Sequence, residues 1–239
     1  MNHTTTATSV LEELKSLGTA GIKKVLMNHG AEEPVYGVKV GDMKPIQKRE
    51  KGNQNLAMEL YRSGVSDAMY LAGLIADGAR MSKAELQAWV KSAYWYMLSE
   101  YTVPWVTVES PFAEELAEEW IASPEESVAA AGWNTWAGLV SVRKDEALPV
   151  SRLRGLLRHV EEHIHTAPNR VRYGMNHFVI CTGAYVKELS QDAVDAGTRI
   201  GEVQVNMGNT ACKVPEAPAY IARAIEKGSL LKKKKTVKC

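Results

Sequence analysis

With 239 residues, 45% of them hydrophobic, the chain is long enough to close a substantial core as one domain or two. Only 9 prolines and 2 phenylalanines occur while Ala, Leu, Glu and Lys recur, which disfavours sheet and makes all-α the expected class. The 29 basic and 28 acidic residues leave a net charge of +1, which excludes the uniform positive field of a non-specific polyanion binder, so any nucleic-acid site has to be local.

In chain order, Met1 to Ser9 carries neither a basic segment nor an apolar stretch, so no secretory leader is expected. Ser9-Val-Leu-Glu-Glu-Leu opens the first predicted helix. Ser9 serves as its cap, Glu12 stands three residues on as a capping box requires, and Val10, Leu11 and Leu14 form its apolar stripe. Gly18 stops this helix. A short second helix spans Ala20 to Asn28 and ends at Gly30, and Ala31 to Gly41 reads as an extended connection. From there helix follows helix: Asp42 to Lys51, Asn53 to Ser63, Ser66 to Asp77, Ser82 to Leu98, Pro104 to Ile121, Pro124 to Val142, Pro149 to His165, Asn169 to Leu189, Gln191 to Val203 and Pro215 to Lys227. Leu86, Trp89, Val90 and Ala93 illustrate the helical spacing, and Ser123-Pro124 and Ser190-Gln-Asp supply first turns. Leu230 to Cys239 closes the chain with Lys232 to Lys235 and Lys238, a local concentration of positive charge that could meet a polyanion and otherwise reads as a solvated tail.

Helices with short turns, paired at intervals of about 35 to 45 residues, are the pattern of a stacked helical-repeat solenoid, although no strict self-similarity is visible. The expected architecture is one all-α helical-repeat domain over residues 1–229 and a basic tail over 230–239, with the concave face as the default binding surface. An irregular helical bundle is the structural alternative. No run of about eighteen apolar residues occurs, so no membrane span is expected. Cys181, Cys212 and Cys239 are few, odd in number and without CxxC spacing, which fits a reduced cytoplasmic setting.

Three segments carry a family resemblance. Tyr36-Gly-Val-Lys-Val-Gly-Asp-Met-Lys-Pro-Ile, then Asn55-Leu-Ala-Met-Glu-Leu-Tyr-Arg-Ser, then Tyr70-Leu-Ala-Gly-Leu-Ile-Ala-Asp resemble, in order and spacing, the opening of the DNA alkylation repair family. The family's next marker is a Trp followed four residues later by Asp, and Trp105-Val-Thr-Val-Glu109 stands in that place. Asn206-Met-Gly-Asn-Thr-Ala-Cys-Lys-Val-Pro215 and the Lys-rich end look like a divergent branch, so the likeness covers residues 35–239.

The resemblance implies a HEAT-like solenoid whose concave, basic face holds duplex DNA, alkylated or distorted. It also implies glycosylase activity toward N3- or N7-alkylated purines. Under that likeness Glu109 takes the part of the carboxylate that stabilises the oxocarbenium sugar and positions water, with Trp105 beside the lesion. A cationic leaving base and a cationic sugar both gain from a carboxylate and from electron-rich rings. Three departures stand against this. Glu109 is one methylene longer than Asp. Ala129, Ala130 and Ala131 occupy positions where the family has arginines that grip the backbone. The family's last cleft Trp has no clear counterpart, and either Phe178 or Tyr185 could substitute.

Plainer readings compete with each candidate. Trp105 and Glu109, four apart on a helix, share a face that could line a cleft or be core and solvated surface respectively. Trp89, Trp95, Trp120, Trp133 and Trp136 read as packing between helix layers. His159-Val-Glu-Glu-His163 matches an H-x-x-E-H spacing, but its Arg-rich approach and the absence of a downstream acidic ligand favour a solvated helix face over a metal site. Gly208 reads as the left-handed residue of a turn. Lys44, Lys48, Arg143, Lys144, Arg170, Arg172 and Lys213 are the candidate DNA contacts, provided the fold sorts them onto one side. No P-loop, GxGxxG or GxSxG element occurs in a strand-turn-helix setting, so no nucleotide cofactor is expected, nor any other. The alternative function is a non-catalytic module that binds deformed or branched DNA, or a protein partner.

Overall fold

The computed structural model describes residues 5–238; the Met1–Thr4 part of the leader reading and Cys239 lie outside the described residues. Thr6, not Ser9, caps the first helix, α1 (Ala7–Leu17). The Thr6 hydroxyl accepts the Ser9 N–H at 3.2 Å and the Ser9 hydroxyl accepts the Thr6 N–H at 3.1 Å. The capping box therefore sits one turn earlier than expected, because a serine oxygen at the third helical position can return the bond that Glu12 was expected to make.

Helix α2 (Ala20–Asn28) follows, and then the chain runs extended to Lys39. That connection is pinned by buried Asp67, whose carboxylate accepts the N–H groups of Tyr36 at 2.6 Å and Val38 at 2.8 Å. Gly37 between them has φ 81°, and a Cβ there would collide with the backbone nitrogen of Lys23. Only glycine fits this crossing. The remaining helices are α3 (Val40–Glu50), α4 (Gln54–Arg62), α5 (Ser66–Ile75), α6 (Lys83–Ser92), α7 (Val103–Glu109), α8 (Ala113–Ile121), α9 (Glu126–Val142), α10 (Val150–His163), α11 (Asn169–Tyr185), α12 (Ser190–Ile200) and α13 (Ala217–Glu226). Among the described residues there is no strand, and the fold is an all-helical, HEAT-like stack of helix pairs.

These helices are of two kinds. Every residue of α5 is buried, as are 12 of the 17 in α9, so these helices are covered on all sides. By contrast α10 buries only the stripe Leu153, Leu156, Leu157 and Val160, and α12 buries Ala193, Ala196, Gly197 and Ile200. A one-sided stripe marks an outer helix and all-round burial an inner one. Accordingly α9 packs along α8 on one side and along α7 and α11 on the others, which makes α5, α7, α9 and α11 an inner layer. The five tryptophans read as interlayer packing are all buried.

Two predicted helices are broken. Ser82 to Leu98 ends early at Ser92, and Met97–Thr102 forms a widened π turn that runs straight into α7. Pro104 has no N–H to return to the carbonyl of Glu100, so the regular ladder cannot continue through it. Likewise the span from Pro104 to Ile121 divides at Ser110-Pro111, where Ser110 Oγ accepts the Phe112 N–H at 3.2 Å and turns the chain into α8.

Close helix approach predicts opposite outcomes for two glycines. A Cβ on Gly132 would lie 2.6 Å from Ile121 N, whereas one on Gly155 meets nothing nearer than arginine side-chain nitrogens at 4.0 Å. In urea unfolding, Gly132→Ala is expected to cost about 1–3 kcal/mol by overpacking. Gly155→Ala should instead add about 0.5–1 kcal/mol through helix propensity.

Candidate functional site

A helix ends with carbonyls that no later turn can satisfy, and several inner helices finish near one another. The strap that meets these ends is the C-terminal segment. Leu231 N–H donates to Ala184 O at 2.7 Å and Lys234 N–H to Ser141 O at 2.8 Å. Lys233 Nζ donates to Val140 O at 2.9 Å and Lys238 Nζ to Ala76 O at 2.6 Å. These carbonyls belong to the last turns of α11 and α9 and to the residue that closes α5, where the negative end of each helix dipole also favours a cation. The charge run that reads as a solvated tail is thus laid along the body and bonded to it.

Glu109 is the last residue of α7 and meets this strap. Its Oε2 accepts the Gly78 N–H at 3.1 Å and pairs with Lys238 Nζ at 2.8 Å, with 32% of the glutamate side chain and 12% of the lysine side chain exposed. Gly78 is required there, because a Cβ would strike Val106 O and lie 2.8 Å from Glu109 Cβ. Glu109 and Lys238 line a cleft of about 850 Å³ together with Gln47, Lys51, Asp77 and Lys235. Trp105 stands one turn earlier at 4% exposure, edge-on to Tyr70 and Tyr101 at centroid distances of 5.3 and 6.1 Å. The structure brings Glu109 to the cleft and packs Trp105 into the core.

The positions where the resemblance implies arginines are equally enclosed: Ala129, Ala130 and Ala131 are buried. Of the two aromatic alternatives on α11, Phe178 is buried against Trp133, while Tyr185 is half-buried with Lys234 Nζ 5.4 Å from its ring centroid. Beside them Asn134, buried, donates from Nδ2 to Ala130 O at 2.9 Å, so its Oδ1 faces His177 Nδ1 at 2.8 Å. That arrangement assigns the His177 proton to Nδ1. Burial, with a smaller contribution from the Lys234 charge, pushes the His177 imidazole down to about 4.

The candidate DNA contacts divide. Lys44 and Lys48 on α3, Lys144 after α9 and Lys213 before α13 are exposed. Arg143 instead pairs with Glu114, and Arg172 donates from Nε to Ala167 O at 2.7 Å and from Nη1 to Gln204 O at 3.3 Å. Arg170 makes a two-bond clamp on buried Glu100, Nε to Oε1 at 2.6 Å and Nη2 to Oε2 at 2.7 Å, with its guanidinium 4.7 Å from the ring centroids of both Tyr96 and Tyr173. Burial raises the Glu100 carboxyl above its ordinary range while the guanidinium holds against that rise. His159 and His163 stack on each other at 4.3 Å, and His163 Nδ1 lies 2.9 Å from His159 O. Among the described residues no group of three or more His, Cys, Asp or Glu side chains could hold a metal ion. No helix there is long and apolar enough to cross a membrane.

Sequence reasoning missed Gly78, Glu100, the pairing of Lys238 with Glu109 and that of Asn134 with His177. Lys238 is visible as part of a charge run, but nothing local signals that its partner is Glu109. A buried glutamate one residue before a tyrosine, as in Glu100-Tyr101, carries no pattern of its own.

Two outcomes follow from these buried groups. Arg170→Ala strands the Glu100 carboxylate and is expected to cost about 3–5 kcal/mol in urea unfolding, with the double variant Glu100→Gln/Arg170→Met recovering most of it. For His177 the folded value near 4 lies below the unfolded value of about 6.5, so its contribution is complete above pH 6.5. It is lost as the pH falls toward 4, by up to about 3 kcal/mol, because the unfolded chain takes up the proton first. Unfolding midpoints measured across that window should fall less in His177→Gln.

Known proteins match this outline over nearly its whole length. The family described as DNA alkylation repair enzyme matches residues 10–221. An uncharacterized protein of Listeria monocytogenes serovar 1/2a is 34% identical over 218 residues, covering 89% of this chain and 94% of the relative. One from Listeria innocua serovar 6a is 33% identical over the same length and shares. A solved structure described as "a new family of proteins related to the HEAT-like repeat DNA glycosylases with affinity for branched DNA structures" is 39% identical with a TM-score of 0.90, covering 98% of this chain and 100% of that one.

Proposed function

The chain belongs to the DNA alkylation repair enzyme family, and from that premise we propose that it is a DNA-binding protein that grips branched or distorted duplex DNA without excising a base. The observation that carries this reading is the state of Glu109. A carboxylate that stabilises a cationic sugar has to present its negative charge to that sugar. In this chain the same oxygen already accepts the Gly78 N–H and faces the Lys238 ammonium. Buried Trp105 and the enclosed alanines at 129–131 agree with it, since neither a ring beside a lesion nor a guanidinium on a phosphate is on offer there. The full-length likeness to a structure from a family with affinity for branched DNA supports the choice of ligand.

A second reading keeps catalysis. Glu109 remains partly exposed in a cleft, so release of Lys238 would free it for an N3- or N7-alkylated purine nucleotide. Its carboxylate would then stabilise the oxocarbenium sugar as the cationic base departs and position the water that completes hydrolysis.

One experiment separates the two readings. Purified protein is titrated against a three-way junction and a linear duplex of equal length, and in parallel incubated in excess with methylated duplex. Tighter binding to the junction, weakening steeply as salt rises, with no released base supports the first reading. Equal affinity for the two DNAs sinks it, and a flat salt response points to a protein partner instead. Released alkylpurine that disappears in Glu109→Gln establishes the second.

A further inference from the structure

We propose that the C-terminal strap is a phosphate-binding element, in which inward lysines fasten the segment and outward lysines meet the sugar-phosphate backbone of DNA. The proposal rests on the DNA-binding reading above and adds where on the molecule the backbone lies.

The strap is fastened at several points by different kinds of contact. Leu231 and Lys234 bond through their backbone N–H groups to the ends of α11 and α9. Lys233, 19% exposed, pairs with Asp145 at 2.7 Å, and Lys238 pairs with Glu109 at 2.8 Å. Between them Val237 packs against the apolar core, reaching 3.4 Å from where a Cβ on Gly138 would stand. Leaving the body would give up the bonds to the carbonyls of Ala76, Val140, Ser141 and Ala184, both ion pairs and the Val237 packing, so the strap has reason to stay.

What the fastened residues leave over is exposed charge. Lys232, Lys234 and Lys235 are exposed, and Lys235 shares the cleft with Lys51 of the α3 end. The inward lysines also neutralise Glu109 and Asp145, two carboxylates that would otherwise repel a phosphate beside the strap. Of the cleft-lining acids, Glu109 pairs with Lys238 and Asp77 accepts the Ala79 N–H, against the exposed Lys51 and Lys235. A lysine on an anchored segment gives up less conformational freedom on binding than one on a free tail, so each contact keeps more of its attraction. The chain's net charge of +1 makes such local concentration necessary if a polyanion is to be held.

The test compares the full chain with the full-length triple variant Lys232→Gln/Lys234→Gln/Lys235→Gln on a three-way junction over a range of salt. All three residues are exposed and Lys234 gives up a contact of 5.4 Å with the Tyr185 ring, worth little at an exposed site, so the unfolding midpoint should move little and serves as the control for folding. Affinity at low salt should drop at least about tenfold, and the slope of log affinity against log salt should become shallower by up to about three. If the natural chain binds the junction and the triple variant binds equally well or more tightly, the strap is not the phosphate site and the proposal is overturned. If the natural chain binds no DNA, the functional reading itself falls, and this proposal with it.

Discussion

The constraint beneath this molecule is that the last carbonyls of its inner helices, with no later turn to bond them, take donors from elsewhere in the chain. An outer helix such as α10 buries one stripe, whereas most residues of α9 and α11 are buried, and carbonyls in their last turns accept bonds from protein donors. The C-terminal segment supplies them, alternating backbone N–H and lysine ammonium groups across successive helix ends. From that follow the position of Lys238, the pairing of Glu109 and the shape of the cleft. A strap introduced to complete helix ends therefore also determines what the cleft can do chemically.

Much of the fold was legible in the residues. Periodic apolar positions located the helices, and Asn53 and Ser82 mark their starts by capping Leu56 and Glu85. Boundaries failed where proline and serine intervene, at Met97–Thr102 and Ser110-Pro111, because a periodic stripe continues through a kink that the hydrogen-bond ladder does not survive. The site was less legible, for a physical reason. Glu109 and Trp105 share a helix face, which spacing reveals, but whether that face meets a cleft or the core depends on Tyr70, Tyr101 and Lys238, none of which periodicity connects to it. Arginines were the least readable: Arg143, Arg170 and Arg172 each have internal partners from distant segments, while the exposed lysines Lys44, Lys48, Lys144 and Lys213 do not differ from them in sequence context.

The residues that carry the resemblance hold the scaffold together. Tyr36, Gly37 and Val38 are where Asp67 pins the extended connection, and Gly37 is where that connection crosses the start of α2. Asn55 to Ser63 builds α4, and Tyr70 to Ile75 lies in the fully buried α5. Backbone crossings and buried helices tolerate little change. Such motifs report fold more faithfully than chemistry: the chain matches its family over residues 10–221, while the pairing of Glu109 is set by Lys238, outside that span.

Repeat arrays are quasi-one-dimensional, and their terminal units unzip without disturbing the middle. The strap changes that topology. Lys238 is bonded to Ala76, and Arg170 is clamped to Glu100, so segments 162 and 70 residues apart hold one another. Contacts at such sequence separations are slow to form and raise the entropy that must be surrendered before native structure rewards it. In return the end of the chain is tied to its first half: releasing the strap frees the carbonyl that closes α5, which couples fraying from that end to a helix well inside the array.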